Sequence, residues 1–242
     1  MAKQTTRKKF FSTLSLTNPH LHEPLMYELD NSCSEMGNHK HVDTTGEYRN
    51  PIMPFLRYNA EPGEKVSLYL IACIGDAVNG KMQIAGGSGR MEEWDAKDLV
   101  EKQKERYLQE VEEAKKEIQF EYELEVIYVE GTKNSSQLKL LQDIVSKVDD
   151  DDIVFMDITY GIRPIIISQF LALTYSYKVR RGVTIGALSY GEKYGSLEPR
   201  IYNLNEFFLF NQTINNLGDL ATPGPLVDRI LHNLIEGDDE DA

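Results

Sequence analysis

The sequence predicts an α/β domain: a Rossmann-like, mainly parallel sheet with helices on both faces, followed by a short C-terminal helical extension. Three observations predict it. Short apolar runs alternate with longer amphipathic segments, as strand–helix units do. The run Ile153–Met156 (IVFM) is continuously apolar, the pattern of a strand covered on both faces. The chain has 242 residues, 41% of them apolar and 10% aromatic, enough to bury a proper core.

Taken in order, Lys8–Leu16 (KKFFSTLSL) reads as the first strand, ended by the turn residues Thr17, Asn18 and Pro19. Residues 17–64 are polar and rich in Gly and Pro, and predict an excursion or hairpin with short candidate strands at Leu25–Leu29 and Pro54–Tyr58. Val66–Ile74 (VSLYLIACI) is β-branched and long enough for a buried strand, and 75–90 is a Gly-rich loop or hairpin insertion. Met91–Phe120 predicts a long helix, because Leu99, Tyr107, Val111, Ala114 and Ile118 recur at helical spacing. Leu124–Val129 is the third strand and Gln137–Val148 a helix behind the polar start Asn134-Ser135-Ser136. Ile153–Asp157 is the fourth strand, Ile165–Val179 an apolar helix and Val183–Ser189 the fifth strand, with a short sixth at Arg200–Leu204. The domain organisation is then 1–204 as the α/β domain, 205–236 as a helical extension (Glu206–Asn215 and Leu226–Ile235), and 237–242 (GDDEDA) as a disordered acidic tail.

Composition excludes several classes of function. There are 39 Asp and Glu against 26 Lys and Arg, a net charge of −13. A sequence-independent grip on duplex DNA needs a basic face that displaces counterions, and this balance argues against one. It does not exclude a small anion held in one locally positive pocket. No run approaches the roughly 18–20 apolar residues that span a bilayer. The start, MAKQTTRKKFFSTLSL, is basic and then briefly apolar, but lacks a small-residue cleavage site, so no signal peptide is read. Two cysteines, Cys33 and Cys73, make no disulfide framework and suit a reducing cytoplasm.

In sheets of this kind ligands bind beyond the carboxyl ends of the strands, where strand order reverses. With a Rossmann-like order the first and fourth strands meet there, which singles out the loops Ser15–His20 and Asp157–Pro164. The second reads Asp157-Ile158-Thr159-Tyr160-Gly161-Ile162-Arg163-Pro164. Gly161 permits a tight turn and close approach of a ligand, and Pro164 suits the first turn of a helix. The free N–H groups of that helix make an anion site, to which Arg163 adds a permanent charge in a fork suited to phosphate. Asp157 and Thr159 are placed to cap the helix or fix the loop. The plainer reading of the same residues is an ordinary strand-to-helix turn with Asp157 as its cap.

The pattern D-x-T-x-G-x-R after an apolar strand, followed by an apolar helix and the strand GVTIGALSYG, resembles the CRISPR-associated DxTHG-motif proteins. These accessory proteins of type III CRISPR antiviral defence carry a CARF domain, a Rossmann-like sensor of cyclic oligoadenylate. The Ser/Thr-rich exit of the first strand (Ser12, Thr13, Ser15, Thr17, Asn18) is similar to the family's other ligand loop. The resemblance spans residues 8–204, most closely 152–191, and departs in having Tyr160 where the family has His. It implies a homodimer that binds cyclic tetra- or hexa-adenylate across its two-fold axis, without cofactor or metal. Thr159, Gly161 and Arg163 would then contact phosphate and ribose, with Asp157 and Tyr160 in the same loop. Ser15, Thr17 and Asn18 would contribute from the first strand, and Thr132, Asn134 and Ser135 would line an adenine pocket.

Rival motifs are weaker. Gly75–Lys81 matches the phosphate-binding G-x-x-x-x-G-K after a strand, but Met82 cannot supply the hydroxyl that holds Mg²⁺. A mobile loop over the site is the expected alternative. His20, His22, His39 and His41, with Cys33 between the pairs, match no standard zinc spacing and read as exposed. Asp149–Asp152 reads as a solvated turn. The segment after residue 204 is too short for a HEPN ribonuclease, and Arg229 and His232 have the wrong spacing for one. The chain therefore reads as a sensor that relays its signal to a partner effector or to a missing effector domain, with the run Phe207–Phe210 as an output surface or as plain core. The alternative is a ring nuclease, in which a ribose 2′-hydroxyl attacks the adjacent phosphate and Arg163 stabilises the developing charge. Tyr160, with an ordinary phenol pKa near 10, is no general base at neutral pH, which favours binding.

Overall fold

The computed structural model describes residues 7–17, 27–29, 48–75, 77–85, 90–131, 133–192 and 198–217. Their contacts divide the chain into two units, Met1–Leu204 and Asn205–Ala242. In the first unit the elements run β1 (Lys8–Thr13), β2 (Glu28–Leu29), α1 (Met53–Asn59), β3 (Lys65–Cys73), β4 (Lys81–Ala85), β5 (Met91–Asp95), α2 (Ala96–Ile118), β6 (Glu121–Val129), α3 (Asn134–Ser146), β7 (Ile153–Asp157), α4 (Arg163–Val179), β8 (Thr184–Glu192) and β9 (Arg200–Asn203). The main sheet is ordered β2-β9-β8-β7-β1-β3-β6. Strands β6, β3, β1, β7 and β8 are parallel, and β9 returns antiparallel to β8. This is the Rossmann-like α/β architecture that the strand–helix alternation predicts. Strand order reverses between β1 and β7, which lie side by side with Ser12 opposite Asp157.

Alternation along the strands builds two layers. Phe10, Leu68, Leu70 and Phe155 face α1 and α2, where they join Phe55, Leu56, Val100, Tyr107 and Val111 in one core. Phe10 and Phe155 stack with ring centroids 4.4 Å apart. The intervening residues point to the face carrying α3 and α4, which pack on each other and share a bond from Ser168 Oγ to Gln137 Oε1 of 3.2 Å. Asp95 caps α2, its carboxylate accepting the N–H groups of Lys97 and Asp98. No described helix is long and apolar enough to cross a membrane.

Three expectations are corrected. Pro54–Tyr58 is not a strand but the body of α1: Pro54 sits in its first turn, where a missing N–H costs nothing, and Met53, Phe55 and Leu56 are buried. The insertion at 75–90 takes the hairpin form of its two expected forms, and Met91–Asp95 does not open the long helix. Instead β4 and β5 form an antiparallel hairpin whose Met82 and Ile84 pack on Ala96 and Leu99. The match to a phosphate loop, already set aside in the sequence, ends in the tight turn before β4. Asn79 and Gly80 have φ of 52° and 78°, and Val78 and Lys81 exchange both backbone bonds, as in a two-residue hairpin turn. Finally, Asp149–Asp152 is not simply solvated. Asp152 is buried and, with Asp149, pairs the buried ammonium of Lys9 at 2.8 and 2.9 Å.

In the second unit α5 (Asn205–Leu217) is helical, with Phe207 and Leu209 exposed. The expected helix at 226–235, the acidic tail and the four histidines with Cys33 lie outside the described residues.

Candidate functional site

The site is built where β1 and β7 end. Asp157, the last residue of β7, is fully buried. Its carboxylate accepts hydrogen bonds from Ser12 Oγ (3.2 Å), from the backbone N–H of Thr159 (3.0 Å) and from the Thr159 hydroxyl. Burial pushes its pKa up to about 6, against the pull of the Thr159 and Ser12 bonds. The Thr159 oxygen also accepts the N–H of Gly191 at 2.7 Å. Asp157 and Thr159 thus fix the loop between three strands rather than capping α4, whose N-cap, Ile162, has no side-chain cap bond.

Behind the loop, Tyr160 turns onto the core and its hydroxyl lies 3.0 Å from that of Tyr27. Burial, and then Tyr27 itself, push the Tyr160 phenol well above its usual value, so the expectation of an ordinary phenol is corrected. Tyr27 exchanges both backbone bonds with Tyr48, and Glu110 of α2 accepts the N–H groups of Arg49 and Asn50 at 3.0 and 3.1 Å. Gly191 is where these pieces converge. A Cβ there would lie 2.7 Å from Pro51, 3.0 Å from Tyr27 and 3.2 Å from Thr159. The ends of the 27–48 excursion are therefore tied to the back of the loop.

In front, Gly161 takes φ +103°, a conformation that L side chains rarely adopt. A Cβ at this position would also crowd Thr13, whose Cγ2 would lie 3.3 Å from it. This turn releases the chain into α4, beginning with exposed Arg163 and Pro164. The helix therefore opens at the carboxyl end of the sheet with Arg163 at its first position. The expected set of free N–H groups is reduced: Pro164 has none, and those of Ile165 and Ile166 donate to the Ile162 carbonyl at 2.9 and 3.5 Å. From β1, Ser15 is half-buried and Thr17 exposed, with the Thr17 carbonyl accepting Gln103 Nε2 of α2 at 2.9 Å. Leu16 between them packs against the β4–β5 hairpin.

Of the residues expected at the site, Ser15, Thr17, Asp157, Thr159, Tyr160, Gly161 and Arg163 fall on two loops of adjacent strands. Asp157, Thr159 and Tyr160 use their polar atoms inward, which leaves Arg163, the α4 N-terminus, Ser15 and Thr17 as the outward groups. Asn134 and Ser135 are exposed in the first turn of α3, beyond β6, and β3 separates β6 from β1. A cleft of about 640 Å³ between β6 and α3 is lined by Tyr128, Glu130, Ser136, Lys139 and Leu140 among others, and not by β1 or β7. Asn18 and Thr132 lie outside the described residues.

No family model matches the chain, and no curated protein matches it. The reading of the site therefore stands on its own geometry and on the motif resemblance. Chemically, the arrangement offers to an anion a permanent cation at a helix start, framed by hydroxyls. Among the described residues it offers little acid–base chemistry: the Asp157 carboxyl is sealed beneath the loop, and the Tyr160 phenol beside it stays protonated.

Sequence reasoning missed Tyr27, Gly191 and Glu110. Glu110 carried a signal, since it falls on the helical face of Tyr107 and Ala114, where an acid must be satisfied internally. Tyr27 carried none, because its place depends on a long-range closure.

Proposed function

We propose that this protein is a receptor for cyclic oligoadenylate in type III CRISPR antiviral signalling. It would act in the cytoplasm as a homodimer that holds the ring across its two-fold axis and relays binding to an effector. The observation that carries the reading is the placement of Arg163 and the uncapped start of α4 beside the Ser/Thr exit of β1, where strand order reverses. A ring of phosphodiesters presents closely spaced anions, and a helix N-terminus with a guanidinium is chemistry that recognises them. Binding is favoured over cleavage because the hydroxyl of Tyr160 is engaged with Tyr27 and Asp157 is buried.

Incubation of the protein with cyclic tetra- and hexa-adenylate in EDTA tests this. The expected result is a raised melting temperature with one of the rings, which chromatography then recovers intact. Recovery of linear products would convert the receptor into a ring nuclease, and no shift with either ring would overturn the reading.

A further inference from the structure

The exit of β1 is fastened to one particular part of the molecule. Leu16, half-buried between Ser15 and Thr17, packs against two apolar clusters at once: the main core of the sheet, and a small second cluster of Met82, Ile84, Ala96 and Leu99. Among the described residues Ile74 is the other side chain that the two clusters share. The Thr17 carbonyl accepts Gln103 Nε2 at 2.9 Å, and Gln103 lies one turn beyond Leu99 on α2. The hairpin β4–β5 is held to the same helix. The Ala96 N–H donates to the Gly80 carbonyl at 2.9 Å, and the Lys102 ammonium lies 4.6 Å from the centre of the Trp94 ring. Hairpin and first turns of α2 thus form one body, joined to the ligand loop by Leu16 and Gln103.

We propose that this body is the element that responds when the β1 exit takes up its ligand, with Leu16 and Gln103 as the positioning residues that couple the two. The proposal rests on the ring-binding reading for the ligand, and it names the relay that reading leaves open. Relative firmness selects the path. The loop after β7 is braced: the buried Asp157 carboxylate fixes Thr159, whose oxygen accepts the Gly191 N–H. The β1 exit instead leans on the small cluster. A two-stranded hairpin is marginal by itself. With strands of five residues, β4 and β5 depend on the seat that Ala96, Leu99, Ile74 and Leu16 provide for Met82 and Ile84. Elements of low local stability are the ones that a ligand moves. Ser15 and Thr17 cannot close on a ligand without carrying Leu16 between them, and a shift of Leu16 changes that seat.

Trp94, at the end of β5, is the only tryptophan of the chain, so its fluorescence reads this body alone. The test is a titration of the full chain with cyclic tetra- and hexa-adenylate in EDTA, following Trp94 emission and the heat of binding on the same samples. In the wild type, emission is expected to change and to saturate together with the heat. Leu16→Ala is expected to give the heat of ring binding but to lose most of the emission change, which separates a relay through Leu16 from direct contact of the ring with Trp94. Gln103→Leu cuts the other attachment and replaces Leu16→Ala, with the same result expected, if that variant fails to fold. Heat of binding with unchanged Trp94 emission in the wild type, or the full emission change in a folded variant, overturns the relay and leaves the receptor standing. No heat with either ring overturns both.

Discussion

Asp157→Asn is expected to abolish a pH dependence of stability that the wild type carries between about pH 4 and pH 7. The folded chain holds this carboxyl with a pKa of about 6, against 3.8 in the unfolded chain, because it is buried. Folding therefore favours the protonated acid. Its contribution is fully present below pH 3.8 and is lost as pH rises through 6, where the folded protein must carry a buried carboxylate. The difference amounts to roughly 3 kcal/mol across the window. Asn cannot ionise, and its amide oxygen can still accept the two Thr159 bonds, while Ser12 can turn to accept from its NH₂. Denaturant unfolding at pH 4.5, 6 and 8 should show the variant gaining on the wild type as pH rises. Glu110, which burial also shifts upward, gives a slope of the same sign to both proteins and cancels from the comparison. A stability difference that stays constant with pH would contradict the burial account of Asp157.

Arg163→Ala is expected to weaken ring binding by about 1.5–3 kcal/mol for each copy that contacts the ring, a factor of ~10–150. The side chain is exposed at the first position of α4, so its removal leaves no buried group unsatisfied and the melting temperature of the free protein should hardly move. Arg163→Lys keeps the charge but loses the planar fork, and should fall between the two. Isothermal titration with the preferred ring checks the series. Wild-type affinity in Arg163→Ala would remove this residue from the site.

The parts of the fold that were legible in the sequence are those specified by local pattern. Ile153–Asp157 is apolar without interruption, and the loop after it ends in Gly161 and Pro164, which mark a turn and a helix start on their own. Hence β7, the loop and α4 were found close to their true bounds, and so was the meeting of β1 with β7. What was not legible depends on distant partners. Aromatic Phe55 and Tyr58 read as strand, but Pro54 and the core waiting around Phe55 and Leu56 make the segment a helix. The hairpin at 75–90 was among the expected forms, but Met91–Asp95 read as helix until β4 is placed against it. Asp152 reads as solvated until Lys9, 143 positions earlier, is placed against it. The inward use of Thr159 and Tyr160 followed the same rule, since Gly191 and Tyr27 reach them only through the assembled sheet.

One ring held between two copies of the loop that begins α4 is the arrangement on which the proposed function depends. Its stoichiometry can be read by calorimetric titration of the wild-type protein with cyclic tetra- and hexa-adenylate, in EDTA and at moderate salt. The expected result is saturation with one of the rings at one ring for every two chains. Saturation at one ring per chain, or no binding of either, would refute the shared site.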